Sequence, residues 1–477
     1  MSSHRRPHSM STQRTLAALA AVCLVGAGSG LARADEPLAK PGASAETDRF
    51  TLTARSTSYV RLFQRALLPG PNGAAVSNDL AIPFYEYVDL RATDIDAPWK
   101  KDSVDVELAA WGAFTPGEAG SAQRIDGDIT VANVRQRFGP AYVRIGRQVF
   151  VGGAARYSQF DGVSLGARSS YGLGIDTYAG LTVLPRWADR PGYHHLGSAA
   201  DSLLRTPDAY ASPSRSGYWL AGGRASYALP SVGEAGVAFH EEREDTELSR
   251  RNASADLRIA PSSSVALSAQ GVLDLDSSRL ADGRAWVDLY PTSTLSLTAE
   301  YLRTDPALFL SRQSVLGVFA ANRFDEAGGE LELRATPKLT VAALGYVEMF
   351  ENEGLGTRTG AKLRYAPLAG DRLLLQLAYT RVLDAGNGYH STRASARLRL
   401  TAPVVLVAEQ YTYQYDQAVR GISTSTVEAA NVEWHASPPV RVLCGASATR
   451  SPYAALDVQA LLRVVVQLDG SQEGRRR

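Results

Sequence analysis

The sequence predicts an all-β fold, a transmembrane antiparallel β-barrel of about 22 strands, with roughly 18 to 22 as the range. The first observation is alternation. Leu295, Leu297, Ala299 and Tyr301 interleave with Ser296, Thr298 and Glu300, and Leu456, Val458, Ala460, Leu462 and Val464 interleave with Asp457, Gln459, Leu461 and Arg463. A period of two puts the aliphatic set on one face of a strand and the polar set on the other, which a helix cannot do. The second is extent: the pattern recurs from Phe50 to Leu468, far beyond the roughly 100 residues of a soluble sandwich. The third is a ruler of tight turns centred near 98, 138, 170, 230, 261, 292, 337, 368, 402 and 437. Ten turns separate eleven hairpins, and bacterial barrels carry an even number of strands.

Taken in order, residues 1–34 have the form of a signal peptide. Arg5, Arg6 and Arg14 make a basic start, Leu16 to Val25 an apolar run, and Ala32-Arg33-Ala34 a small-residue cleavage site. Residues 35–48 form a polar tether, 49–468 the barrel, and 469–477 a tail. Cleavage before Asp35 removes four arginines and no acids, so 50 basic and 49 acidic residues become 46 and 49, a formal charge of −3. That balance does not favour nucleic-acid binding. No later segment has the 18 or more uninterrupted apolar residues of a membrane helix. A membrane protein with this sequence therefore crosses as a closed barrel, because only helices and closed barrels satisfy their backbone in lipid.

Strand-like segments follow at about Phe50–Phe63, Ala81–Ala92, Ser103–Ala113, Ile125–Phe138, Ala141–Phe150, Gly162–Arg168 and Leu173–Val183. Residues 185–216 are irregular, and the alternation resumes at Gly217. Both termini fall on the tight-turn side, which places them in the periplasm and the long segments 185–216 and 305–324 outside the cell.

Arg144-Ile145-Gly146-Arg147-Gln148, then Gly152-Gly153, then Phe160-Asp161-Gly162-Val163 resembles a hairpin of Gram-negative outer-membrane porin-like barrels, particularly the alginate-export and related porin families. The resemblance implies an outer-membrane channel. It does not extend to alginate as the solute, since a chain of charge −3 lacks the strongly basic pore that a polyanion calls for.

Several residues are candidates for the pore wall. Lys362, Arg364, Arg397 and Arg399 alternate onto the inward face, and Asp89, Asp105 and Glu107 do so on strands far away in sequence. Facing walls of opposite charge would select among ions; the competing reading is that each charge pairs with neighbours such as Glu330, Glu332 and Glu348. Arg144 and Arg147 also fall near the pore wall, where Arg147 either lines the constriction or pairs with Asp161. Residues 305–324 carry Leu308, Phe309, Leu310, Val315, Leu316, Val318 and Phe319, an apolar richness that fits a constriction loop folded into the mouth, or contact with a neighbouring protomer or with the barrel's own hairpin tips. His194-His195 reads as polar loop rather than a metal site. His240 with Ser268 would need hydrogen-bond reach to act as base and nucleophile, and no serine-centred motif accompanies them.

The expected function is a porin-like channel for passive diffusion of small hydrophilic solutes or ions, without enzymatic activity, cofactor or metal. The alternative is a structural or surface-docking outer-membrane barrel without an open pore. The partners are outer-membrane lipid, the solutes and the barrel assembly machinery, and an oligomer is compatible with the sequence.

Overall fold

The computed structural model describes residues 49–66, 78–96, 103–114, 125–183, 218–309, 323–351, 354–368, 370, 372–384, 386–452 and 454–473. The strands are β1 (Arg49–Ala66), β2 (Asn78–Ala81), β3 (Phe84–Asp96), β4 (Ser103–Phe114), β5 (Ile125–Phe138), β6 (Ala141–Gly152), β7 (Arg156–Arg168), β8 (Leu173–Thr182), β9 (Tyr218–Leu229), β10 (Gly233–Glu244), β11 (Glu247–Ser262) and β12 (Val265–Asp274). They continue with β13 (Arg279–Thr292), β14 (Leu295–Thr304), β15 (Phe324–Thr336), β16 (Leu339–Phe350), β17 (Gly354–Tyr365), β18 (Leu373–Leu383), β19 (Tyr389–Arg399), β20 (Val404–Val419), β21 (Ile422–Ser437), β22 (Val440–Ser451) and β23 (Ala454–Glu473).

Each strand pairs antiparallel with its neighbour, and β1 pairs with β23 from Arg49 opposite Glu473 to Phe63 opposite Gln459. The sheet therefore closes on itself and leaves no free edge along that seam, as lipid requires. β2 and β3 are one stave: both pair with β1, and the break falls at Ile82 and Pro83. Proline has no N–H to give the ladder, but its carbonyl accepts from the Arg61 N–H at 3.1 Å. Counting that pair once, the 23 strands of the described residues make 22 staves, a closed antiparallel β-barrel with the strand number expected from the sequence.

Register carries the two faces around the wall. Leu295, Leu333, Val341, Leu363, Leu377 and Ala394 stand opposite one another in turn. One residue away, Ser296, Glu332, Ala342, Lys362, Ala378 and Arg393 do the same. The first row belongs to an exposed aliphatic surface that includes Leu331, Val347 and Leu375. The second is the interior, where side chains two strands apart meet over the stave between them, as Lys362 with Glu330 and Tyr142 with Asp176 do. Gly166 lies under the latter contact, where a Cβ would stand 2.1 Å from the Tyr142 ring.

The turns at 139–140, 230–232, 263–264, 293–294, 337–338 and 438–439 lie where the ruler puts them. The opposite rim is less uniform than expected, because Asp245–Thr246 and Arg420–Gly421 are also two-residue turns, with φ of 50° at Asp245 and 52° and 80° at Arg420 and Gly421. Such left-handed central residues match the twist of tight hairpins. Two boundaries differ from the reading. β23 runs on to Glu473, because Asp469 to Glu473 continue the seam with β1. β7 starts at Arg156 rather than near 162, for a reason that lies in the hairpin it shares with β6.

Candidate functional site

β5 pairs with β6 only from Phe138 opposite Ala141 to Ala132 opposite Arg147, and β7 pairs with β8 no further than Phe160 opposite Thr182. Yet β6 and β7 stay paired with each other as far as Gly152 opposite Arg156. The upper part of this hairpin has thus parted from β5, which continues to Ile125 without it. The departure point is Gly146, with φ of 120°, where a Cβ would stand 2.2 Å from the Ala132 carbonyl oxygen. No other residue tolerates both the angle and the approach. Gly162, opposite Gly146, is as crowded, with the Ala179 carbonyl oxygen 2.1 Å from an added Cβ.

Leaving the wall strips backbone partners from β5, and a buried carbonyl without a partner is costly. Side chains of the hairpin replace them. Arg147 donates to the Ile129 carbonyl at 2.9 Å while its guanidinium grips Asp161 at 2.8 and 2.9 Å and reaches Asp128 at 3.3 Å. Gln159, 1% exposed, donates to the Thr130 carbonyl at 3.0 Å. Gln148, fully buried, donates to the Gly162 carbonyl at 3.1 Å and accepts from Ser164 Oγ at 2.6 Å, which fixes the hinge.

The tip is a 3-10 turn, Gly153–Ala155, that opens on left-handed Gly153 and is flanked by Gly152 and Arg156, also at positive φ. It lies against the inner face of β10 to β13. Asn252 Nδ2 donates to the Ala154 carbonyl at 3.1 Å, and Arg156 lies 3.6 Å from Asp282. The apolar underside comprises Phe150, Ala155 and Phe160, packed on Tyr178 and Leu220, with the Phe150 and Tyr178 ring centroids 4.4 Å apart. Beneath it Tyr178 Oη and His240 Nδ1 are 3.0 Å apart, and Glu242 accepts from Arg250 at 2.7 Å. Val151 (78% exposed) and Tyr157 (40%) occupy the hairpin's other face. The element that narrows the interior, among the described residues, is therefore this hairpin. Leu308 lies half-buried within the short turn Pro306–Phe309, whereas Phe309's side chain, Leu310, Val315, Leu316, Val318 and Phe319 lie outside the described residues, as does His194-His195.

The candidate pore charges fall into two groups. Asp105 is 1% exposed and held by Arg135 and Arg137; Glu107 pairs with Arg91 at 3.1 Å, and Lys362 with Glu330 at 2.5 Å. Arg147 is committed to Asp161 and Asp128, on the strand face opposite to Arg144 and Gln148. By contrast Arg364, Arg397 and Arg399 make no ion pair with another described residue. Register brings them together: Arg364 stands opposite Gln376, Gln376 opposite Ser395, and Arg397 and Arg399 follow Ser395 on the same face. Asp89 faces Arg55 across the β1–β3 ladder, and Arg144 stands opposite Arg135 with its guanidinium 6.0 Å from the Tyr142 ring centroid. Elsewhere the interior charges form compact networks, such as Arg358 with Glu326 and Glu348 and Arg224 with Asp256 and Glu234.

His240 and Ser268 are not partners. Ser268 faces Arg258, and Arg258 faces Glu234, six residues down β10 from His240, or roughly 20 Å along the strand.

Sequence reasoning marked Gly146, Arg147, Gly152, Gly153 and Asp161 but not Ala154, Ala155, Leu220 or Asn252. One signal was present. A hairpin tip in water is expected to be polar, and Gly152-Gly153-Ala154-Ala155 is not.

No protein-family model matches the chain, and no curated protein matches it. Among solved structures it is similar to the outer membrane protein OpdK from Pseudomonas aeruginosa, at 9% identity and a TM-score of 0.40, over 88% of this chain and 99% of that one. It is similar also to Pseudomonas aeruginosa OccK2 (OpdF) in complex with glucuronate, at 8% identity and 0.41, over 88% and 98%. The P pilus usher PapC translocation pore aligns at 8% identity and 0.44, over 87% and 99%.

Proposed function

We propose that this barrel is an outer-membrane, porin-like channel of a Gram-negative cell through which small hydrophilic solutes diffuse passively, and that it is not an enzyme. The observation that carries the reading is the inward-folded β6–β7 hairpin. A barrel this wide encloses more space than its wall side chains fill, and one hairpin laid against β10 to β13 occupies a part of it, while charged and polar side chains line much of the wall elsewhere. Size filtering then falls to the hairpin, through Val151 and Tyr157. Weak charge selection falls to Arg364, Arg397 and Arg399, whose charges meet no ion-pair partner among the described residues, while Asp89 and Arg144 add to the lining. Asp105, Glu107, Lys362 and Arg147 contribute little to selection because each is already paired.

In this reading the tight-turn rim and both termini are periplasmic, the aliphatic face meets outer-membrane lipid, and the assembly machinery inserts the chain, singly or as an oligomer. Single-channel recording of the mature protein in a planar bilayer, under a salt gradient, tests it. Steps of defined size support the channel. Silence from protein that is folded and heat-modifiable on gels refutes it and favours the structural or surface-docking barrel.

A further inference from the structure

We propose that the inner wall formed by β1 and β21 to β23 carries a subsite for a monosaccharide-sized hydroxylated ring, with Tyr59 as its stacking platform and Asn431, Ser447 and Arg463 as its hydrogen-bonding edge. The proposal rests on the channel reading and names a class of solute for it.

The platform begins with register. Tyr59 stands opposite Tyr85, and Tyr87 opposite Trp111, which turns all four rings to the interior. The Tyr59 and Tyr85 rings stack with centroids 4.6 Å apart; those of Tyr59 and Tyr87 are 5.7 Å apart and within 11° of parallel, with their hydroxyl oxygens at 3.2 Å. Tyr85 and Trp111 are buried at 2% and 6% exposure, whereas Tyr59 and Tyr87 remain half-buried. A ring wedged in this way has little rotamer freedom left to lose when something stacks on it. Tyr85, Trp111 and Ala113 form a buried apolar cluster on which Tyr59 and Tyr87 pack, so the platform is held rigid from beneath.

Beside Tyr59 the wall is hollow. A recess of about 480 Å³ runs from Tyr59 and Arg61 to Asn431 and Ser447. Its floor is small: Asn431, Gly445 and Leu461 stand in one row, and Ala429 and Ser447 in the next. A Cβ at Gly445 would stand 1.9 Å from Asn431 Oδ1, so the glycine is what lets the amide lie across the floor. Arg463 faces Tyr59 directly. Asn431, Ser447 and Arg463 make no hydrogen bond to another described residue, and no carboxylate of the described residues lines the recess. An apolar ring face with amide, hydroxyl and guanidinium groups around its edge matches a pyranose, which presents a C–H face and a rim of hydroxyls. A few placed polar groups on an apolar base is the ordinary make-up of a small-molecule site.

The test compares D-glucose with sorbitol, which has the hydroxyls without the ring. Open-channel current of the full mature protein should fall with rising glucose and much less with equal sorbitol. Tyr59→Ala should raise the half-blocking glucose concentration about tenfold, and Tyr59→Phe should keep it near the wild-type value. Ser447→Phe fills the hollow while leaving the tyrosine stack in place, and should abolish the preference for glucose. Titration calorimetry of the detergent-folded barrel reads the same preference without needing current, so a channel that does not conduct and a subsite that does not bind give different results. Equal effects of glucose and sorbitol, or preserved glucose block in both Tyr59→Ala and Ser447→Phe, would overturn the subsite.

Discussion

If the β6–β7 hairpin rests inside the barrel as described, a disulfide between its tip and the wall should form with almost no movement. An ideal Cβ on Gly153 would stand 3.7 Å from the Ala238 Cβ, within the 3.5–4.5 Å that disulfides span. In a Cys444→Ala background, Gly153→Cys with Ala238→Cys places one sulfur at each end. The bridge would close a loop of about 85 residues, for which chain entropy gives roughly 4–5 kcal/mol of stabilisation. Against this stands the φ of 58° at Gly153, a left-handed angle that costs a non-glycine residue about 1–2 kcal/mol. The net expectation is about 3 kcal/mol in favour of the oxidised barrel. Thiol titration reads whether the bond forms, and unfolding of the detergent-folded protein with and without reductant reads its worth. A folded barrel whose two cysteines stay reduced under mild oxidant would show that the tip is elsewhere, and would remove the basis for the constriction.

Three further outcomes follow from the same geometry. Leu377→Arg, on the exposed aliphatic face in the middle of β18, should cost about 2–4 kcal/mol of folding free energy; an unchanged urea midpoint for refolding into bilayers would contradict the assigned sidedness. Arg397→Glu with Arg399→Glu breaks no ion pair among the described residues, so stability should move by no more than about 0.5 kcal/mol while the reversal potential shifts toward cations. A reversal potential equal to the wild type's would take those residues off the pore wall. Gly146→Ala should destabilise by about 1–3 kcal/mol from backbone strain alone, and should lower the yield of the 153–238 crosslink; full yield would mean that the hairpin does not pivot there.

Much of the architecture was legible before any coordinates. Leu331 and Leu333 alternate with Glu330 and Glu332, and the structure keeps those sets on opposite faces. The turns at 337–338 and 438–439 announce themselves through Thr336-Pro337 and Ser437-Pro438-Pro439. Such features are local: a period of two, a residue that cannot extend a ladder, a stretch too short to turn any other way. The charges were less legible. Arg397 and Asp105 look alike as inward charges in a strand, but Arg135 and Arg137 close over Asp105 from the adjoining β5, and no acid among the described residues pairs with Arg397.

What the sequence determined by itself is the wall. Alternation, length and turn spacing leave a closed antiparallel barrel with an aliphatic outside as the arrangement in which lipid and backbone are both satisfied. What only the tertiary structure decided is what lies within it. Gly146, Gly162 and the Gly152-Gly153 tip permit a hairpin to bend, yet nothing local says which way. The direction comes from Leu220, Tyr178, Asn252 and Asp282, supplied by β8, β9, β11 and β13, whose distance from the hairpin is short in space and long in sequence. Closure of the sheet brings them within reach, and closure belongs to no single segment.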